Sequence, residues 1–376
     1  MKILIIDDEE EIRRSLSFVL EDEGHETRSA SNGIDAISAI SEREFDIVIT
    51  DLMLPGMDGM QILSRIKQEH PEIIVVMITG HESVENAVEA MKAGSDDYIP
   101  KPIDADELLM KLSKAVEVRR LRYENLLFHR RLEAELDIAR KIQQVLLPRQ
   151  VPIINGLDIT AFSYPAKQVG GDYHDIIELP SGDIGIAIGD VSGKGMPASL
   201  LMANVQASIR RYAESDYSPK DIMFRINNAL CPICQFIEEH RFITLFYGVL
   251  NIDSRSLVYS NAGHNYPMMI KNDGAVCEMS NGGGLPCGIM QDYAYDADTV
   301  SLENGDILLF YTDSITEAMN SDGEVFGEER LISAVLKICD MGSDVIASGI
   351  YDELTKFTGG ADQYDDMTLV IMKLKG

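Results

Sequence analysis

Gly189-Asp190-Val191-Ser192-Gly193-Lys194-Gly195-Met196-Pro197-Ala198 joins an apolar, β-branched run at 184–188 to a long helical pattern that opens at Pro197. Such a run reads as a buried strand, and proline suits the first turn of a helix. Asp190 therefore stands where a strand leaves the core, among three glycines that let other groups or ions approach the backbone. A lone acid in a glycine-rich turn would ordinarily be a cap. This one has company: Val169-Gly170-Gly171-Asp172, Tyr311-Thr312-Asp313 and Asp365-Asp366-Met367-Thr368 are further acid-bearing junctions at strand ends in the same half of the chain. Carboxylates gathered without matching Lys or Arg repel one another, and hard divalent cations relieve the repulsion.

Around that stretch, residues 151–376 alternate many strand patterns (157–166, 173–179, 184–190, 242–251, 257–262, 268–271, 307–311 and 367–374) with helices near 198–213, 219–229, 329–339 and 344–358. Strands clustered apart from helix pairs predict an α+β domain, an antiparallel β-sandwich flanked by helices. Two divalent ions about 3.5–4 Å apart can activate one water and clamp a phosphate for in-line attack. Such a site needs a carboxylate between the ions and others on each side. Asp190 suits the bridge, Asp313 and Asp365 complete one shell, and Asp172 with the Val191 carbonyl serves the other. Asp175 and Asp366 are candidates for a supporting role or a third metal, against a reading as solvated surface acids. His264 could protonate a leaving oxygen, but a turn histidine satisfied by backbone is the plainer account, and it stays outside the catalytic set. The glycine-rich 281–284 region reads as a mobile loop, a lid. No G-x-x-x-x-G-K-[ST] phosphate loop occurs.

The first third has a different rhythm. Strand runs at 3–7, 25–29, 47–51, 73–79 and 97–100 alternate with helical patterns from 10 and near 34–40, 60–67 and 84–93. Alternation of this kind predicts an α/β doubly wound five-stranded parallel sheet, whose ligands bind beyond the carboxyl ends of the strands. Asp7, Asp8, Asp51, Thr79 and Lys101 all fall at such ends. Asp51 can be the nucleophile that takes a phosphoryl group, with Mg²⁺ held by Asp7, Asp8, Asp51 and the backbone carbonyl of Met53. The Thr79 hydroxyl and Lys101 ammonium can then bind the new phosphoryl oxygens.

Between the two lies a stretch from 104 to 147 without Gly or Pro, which predicts one long helix or two joined. Val118, Leu121, Phe128, Leu132, Ala139, Ile142 and Leu146 recur three or four apart, with Asn125 and Glu135 on the same stripe. That stripe is a two-stranded coiled-coil seam, or alternatively an amphipathic face packed on a neighbouring domain. Residues 106–150 carry ten Lys or Arg and seven Asp or Glu, a local +3.

The whole is acidic, with 33 Lys plus Arg against 62 Asp plus Glu and a net charge of −29, which repels phosphate backbones and argues against a nucleic-acid partner. A strand-like Lys2-Ile3-Leu4-Ile5-Ile6 follows Met1, and no apolar run of about eighteen residues occurs, so the expectation is a cytoplasmic chain without membrane association. Five cysteines without framework spacing suit a reducing compartment. Cys231-Pro232-Ile233-Cys234 reads as structural thiols at the end of a helix, with zinc or redox use the minority option.

Ile6-Asp7-Asp8-Glu9, Ile49-Thr50-Asp51-Leu52-Met53-Leu54-Pro55-Gly56-Met57-Asp58-Gly59, Ile78-Thr79-Gly80 and Asp97-Tyr98-Ile99-Pro100-Lys101-Pro102 closely resemble the receiver domain of two-component response regulators over about 1–120. The resemblance implies phosphorylation of Asp51 by a cognate histidine kinase, Thr79 and Tyr98 as switch residues, and a cis Lys101-Pro102 peptide. The four acid junctions, together with Asn261-Ala262-Gly263-His264-Asn265, resemble the metal-dependent protein phosphatases of the SpoIIE-like branch over about 135–376. That implies hydrolysis of phosphoserine or phosphothreonine on a protein with two Mn²⁺ or Mg²⁺ and no phosphoenzyme. By analogy the substrate is an anti-sigma-factor antagonist. Ser314 departs from the pattern, standing where glycine is usual.

The domains expected are a receiver at 1–120, a helical linker at 121–150 that makes a homodimer, and a phosphatase at 151–376. The contrasting expectation is a non-catalytic adaptor governed by the receiver. A decayed phosphatase domain should have lost some of Asp172, Asp190, Asp313 or Asp365, and this chain has all four.

Overall fold

The computed structural model describes residues 1–80, 84–148, 151–215, 217–237, 240–361 and 363–375. By its internal contacts the chain divides into two units, Met1–Leu132 and Glu133–Gly376. The division falls inside the expected 121–150 linker, whose end at 149–150 lies outside the described residues.

In the first unit β1 (Lys2–Ile6), β2 (Glu26–Ala30), β3 (Ile47–Asp51), β4 (Ile74–Thr79) and β5 (Asp97–Pro100) form one parallel sheet in the order β2-β1-β3-β4-β5. Between them run α1 (Glu10–Asp22), α2 (Gly33–Glu42), α3 (Gly59–Glu69) and α4 (Val84–Lys92), and α5 (Ala105–Leu146) follows. A parallel sheet is covered on both faces, which is why β1 is apolar at successive positions. Ile3 and Ile5 pack with Leu16 and Leu20 of α1 and with Leu108 and Leu112 of α5, while Leu4 and Ile6 pack with Ile40, Ile62 and Ile66. At Gly59 a Cβ would lie 2.3 Å from the Asp51 carbonyl oxygen, so glycine lets α3 begin close against the end of β3. Asp58 caps that helix in a reciprocal box with Gln61.

The 42 residues of α5 are one helix. Leu108, Leu112 and Ala115 are buried, whereas Leu121, Phe128, Leu132 and Ile142 of the predicted seam are exposed.

The second unit is a sandwich. β7 (Tyr173–Glu178), β8 (Ile184–Val191), β9 (Ile243–Asn251) and β10 (Ser256–Ala262) form an antiparallel run, extended by β13 (Gly283–Gly284) and β14 (Asp298–Ser301) on β10. The facing sheet runs β12 (Val276–Glu278), β11 (Met268–Ile270), β15 (Ile307–Tyr311), β16 (Met367–Leu374), β6 (Leu157–Tyr164), antiparallel throughout. Ile186, Ile188, Phe246 and Leu250 from one sheet meet Leu308, Phe310, Val370 and Met372 from the other. Helices α6 (Met196–Ala213) and α7 (Pro219–Phe236) cover the first sheet, and α9 (Gly327–Leu336) and α10 (Ser343–Thr358) the second, while α8 (Asp313–Thr316) is one turn after β15. Alternate residues of β8 and β15 thus face different apolar partners on their two sides, and both strands read as continuous apolar runs.

Two expectations need correction. The helix expected to end at 229 continues to Phe236 through Pro232, because Leu230, Cys231 and Cys234 are buried and that burial outweighs one lost backbone donor. The expected loop at 281–284 is tied down: Gly283 and Gly284 pair with Asn261 and Ala262, and a Cβ on Gly284 would meet the Tyr295 ring at 2.8 Å. Among the described residues, no helix is long and apolar enough to cross a membrane.

Candidate active site

The register of the strands brings the four acid junctions together. Tyr173 pairs with Gly189, so Asp172 and Asp190 stand side by side where β7 begins and β8 ends. In the other sheet Tyr311 pairs with Leu369, which sets Asp313, at the start of α8, beside Asp365, just before β16. The Thr312 hydroxyl joins the sheets, donating to Asp172 Oδ2 at 3.0 Å and accepting from the Thr368 N–H at 3.0 Å. Thr312 was not singled out from the sequence; its place as the residue before Asp313, at the helix N-cap, was the available signal.

Electrostatics set Asp172, Asp190 and Asp313 apart from ordinary surface acids. Burial, then Asp313 and Asp365, push the Asp190 carboxyl up to about 7. Burial and the neighbouring Asp190 hold Asp172 well above the usual carboxylate range, and burial also raises Asp313. Oxygen-only donors that resist ionisation until a cation arrives suit Mg²⁺ or Mn²⁺. Backbone geometry agrees, since a Cβ on Gly171 would lie 3.0 Å from the Val191 carbonyl oxygen and 3.5 Å from Asp190 Oδ1, leaving room that a larger residue would fill. The residues fit the metal chemistry the fold implies.

One expectation fails here. The acids are not free of basic neighbours, because Lys194 Nζ lies 3.1 Å from Asp365 Oδ2 and stacks over the Tyr364 ring at 3.5 Å. The glycines at 193 and 195, both at positive φ, turn the chain so that a lysine four residues past Asp190 comes back to the rim. The pair touches one acid of the four.

The secondary candidates are also resolved. Asp175 is no surface acid: it is buried beneath Arg210, which bonds both its oxygens at 2.8 and 3.1 Å, with the Tyr173 hydroxyl at 3.0 Å. Asp366 is buried and accepts from the Gly171 N–H at 2.6 Å and the Ala166 N–H at 2.8 Å, bracing the loop that carries Asp172. Ser314 points its hydroxyl to Thr312 at 3.1 Å. His264 is buried with Nδ1 3.0 Å from the Thr244 hydroxyl, and burial lowers it to about 4, so its ring is neutral at pH 7. Its ring is thus held by a side chain as well as its backbone by Asn261. Cys231 and Cys234 are buried thiols, the latter pushed up to about 11.

The first unit holds a second acid cluster. Asp7, Asp8 and Asp51 bring carboxylate oxygens within 4.8 Å of one another, the one such group of three among the described residues. Lys101 sits among them, 2.6 Å from Asp51 and 3.0 Å from Asp7, and its peptide bond to Pro102 is cis. Burial alone would lower the ammonium, but the bonds to Asp51 and Asp7 outweigh it and the net shift is upward. Burial is the largest influence on Asp7, which is raised. The Met53 N–H donates to Asp51 Oδ1 at 3.2 Å while its side chain faces solvent. Thr79 is buried at the end of β4, one position beyond the Asp51 and Ile78 pair, and Tyr98 is exposed on β5 with Lys111 over its ring at 4.6 Å.

A parallel five-stranded sheet with an acid trio at its strand ends, and a β-sandwich with acids from both sheets at one rim, define a response-regulator receiver and a metal-dependent phosphatase of the PP2C type. Residues 3–113 match the response regulator receiver domain, and residues 180–375 match the family described as stage II sporulation protein E. The chain belongs to that SpoIIE family. It is 32% identical over 246 residues to the phosphoserine phosphatase RsbU of Bacillus subtilis, covering 65% of this chain and 71% of that protein. The nitrogen assimilation regulatory protein NtrX of Azorhizobium caulinodans is 44% identical over 124 residues, which are 32% of this chain and 27% of that one. The SiaA-PP2C domain of Pseudomonas aeruginosa shares the fold with a TM-score of 0.59 at 21% identity, over 66% of this chain and 98% of that domain.

Proposed function

We propose that the chain is a response regulator whose output is hydrolysis of phosphoserine or phosphothreonine on a regulatory protein such as an anti-sigma-factor antagonist. The observation that carries this reading is the meeting of Asp172, Asp190, Asp313 and Asp365 at one rim, three of them with raised carboxyl pKa values. Asp190 feels Asp172 beside it and Asp313 and Asp365 from the other sheet, and would be the carboxylate shared by two cations. Asp313 and Asp365 serve one side, Asp172 and the Val191 carbonyl the other, with the Thr312 hydroxyl fixing the angle of Asp172. When bound, Mn²⁺ or Mg²⁺ neutralises the phosphate ester and makes a water nucleophilic at neutral pH. The chain's own contribution is a stiff, partly desolvated frame that holds those oxygens and needs no rearrangement as charge develops.

In the receiver, Asp51 takes a phosphoryl group from a histidine kinase, with Asp7, Asp8 and the Met53 carbonyl as the remaining Mg²⁺ ligands. Lys101 and Thr79 receive the new oxygens, and Tyr98 is the second switch residue. Two chains pair along the exposed stripe of α5, and receiver phosphorylation alters phosphatase output through that helix.

The test is to incubate candidate phosphoproteins with the full chain and Mn²⁺, with and without beryllofluoride. Phosphate release that changes with the phosphoryl mimic is the expected result. Absence of turnover on those proteins and on p-nitrophenyl phosphate would favour the adaptor reading.

A further inference from the structure

Near its end α5 grips the acid loop through one side chain. Gln143 Nε2 donates to the Gly170 carbonyl at 2.6 Å, and the Gly170 N–H donates back to Gln143 Oε1 at 3.0 Å. A primary amide paired with a peptide group at both its donor and its acceptor fixes distance and plane together. Gly170 stands two residues before Asp172, in a loop with no slack. Asp366 holds the Gly171 N–H at 2.6 Å, and a Cβ on Gly170 would lie 2.6 Å from Asp366 Oδ2.

The helix end is fastened from another side as well. Gln206 of α6 donates to the Leu146 carbonyl at 3.1 Å, satisfying one of the carbonyls a helix terminus leaves open. Leu147 packs against the apolar cluster that contains Tyr173, Val191 and Ala198, which are neighbours in sequence of Asp172, Asp190 and the start of α6. Rotating α5 by one residue, about 100°, would swing the Gln143 amide off the loop.

We propose that Gln143 is a positioning residue, whose amide couples the seat of α5 to the 169–172 loop and thereby sets how tightly the acid cluster binds a divalent cation. The inference rests on the proposed cation site and identifies where a change in α5 reaches it.

Calorimetric titration of Mn²⁺ into the full chain tests it. The phosphatase sites are those abolished by Asp190→Ala, which separates them from the receiver site. Gln143→Ala should weaken them about tenfold, the scale seen when a group supporting a ligand is removed. Gln143→Glu, which keeps the acceptor for the Gly170 N–H and loses the donor, should weaken them too. Gln144→Ala, at the exposed neighbouring position, should not. Unfolding temperatures in EDTA should be alike for Gln143→Ala and Gln144→Ala.

Wild-type affinity in Gln143→Ala would overturn the proposal, as would an equal loss in Gln144→Ala. A wild-type chain with no Asp190-dependent Mn²⁺ site would sink the cation reading and this inference with it.

Discussion

The two acid clusters of this chain are built in opposite ways. In the receiver, Asp7, Asp8 and Asp51 come from the ends of neighbouring strands of one sheet, within 4.8 Å, and a lysine sits among them. In the phosphatase the acids come from two sheets, a threonine hydroxyl ties them together, and a lysine pairs with Asp365 alone. Two unit charges 4 Å apart differ by about 4 kcal/mol between attraction and no interaction at an effective dielectric of 20. An internal ammonium therefore lets three carboxylates crowd together, whereas in the phosphatase set burial and the facing acids Asp313 and Asp365 raise the Asp190 carboxyl and favour its protonated form until a cation takes the proton's place. The first is a site for one ion and a covalent phosphoryl group; the second is arranged for more positive charge than the chain itself supplies.

The sharpest way to break that contrast is Asp190→Ala. Turnover of p-nitrophenyl phosphate with Mn²⁺ should fall about 10³-fold, a loss of about 4 kcal/mol in transition-state stabilisation, while labelling of Asp51 by a small phosphodonor persists. A fall of less than tenfold would mean that Asp190 is not central. Next in size is Lys101→Ala, which leaves Asp7 and Asp51 without their cation. Urea unfolding in EDTA should show the receiver transition destabilised by about 3 kcal/mol, with part of the loss restored by Mg²⁺. An unchanged transition would show that the lysine does not hold the trio together.

Acid should separate the two regions further. The folded-state pKa of His264 is depressed to about 4, so its contribution to stability is complete above its unfolded value near 6.5 and is lost as pH falls toward 4. Between pH 7 and pH 5 the phosphatase transition should lose about 2 kcal/mol more in wild type than in His264→Gln. Equal losses would show that the ring is not kept neutral by burial. The smallest effect belongs to Ser314→Gly, because the Ser314 hydroxyl bonds Thr312 and the backbone N–H that serves Asp313 is kept in glycine. Turnover should stay within about twofold, the reach of a few tenths of a kcal/mol; a rise of tenfold would make Ser314 a brake on the site.

Much of this was legible from residues alone. The receiver strands β1, β3 and β4 are near-continuously buried because both faces of a parallel sheet are covered there, and glycine and aspartate punctuate their ends, so these strands and the positions of Asp7, Asp51 and Thr79 follow from short windows. The same holds for β8, and for Asp190 at its end. What escaped depends on partners distant in sequence. The short β12, β13 and β14 exist by pairing with β10 and β11, with nothing local to mark them. The helix expected to end at 229 runs on to Phe236 because Cys231 and Cys234 find buried places in the fold. Asp175 and Asp366 stay open between a supporting role and a solvated surface acid, because Arg210 lies 35 residues away and Gly171 lies 195 residues away in sequence. Lys194 was in plain view in the quoted stretch, but only the turn at Gly193 and Gly195 reveals that it folds back onto Asp365.

Diffraction from manganese-soaked crystals of the full chain, recorded at the manganese absorption edge, bears most directly on the claim that paired cations complete the phosphatase rim. Two anomalous peaks enclosed by Asp172, Asp190, Asp313, Asp365 and the Val191 carbonyl, with Asp190 touching both, are the predicted result. A rim without peaks, its carboxylates protonated or held by Lys194, would contradict the account.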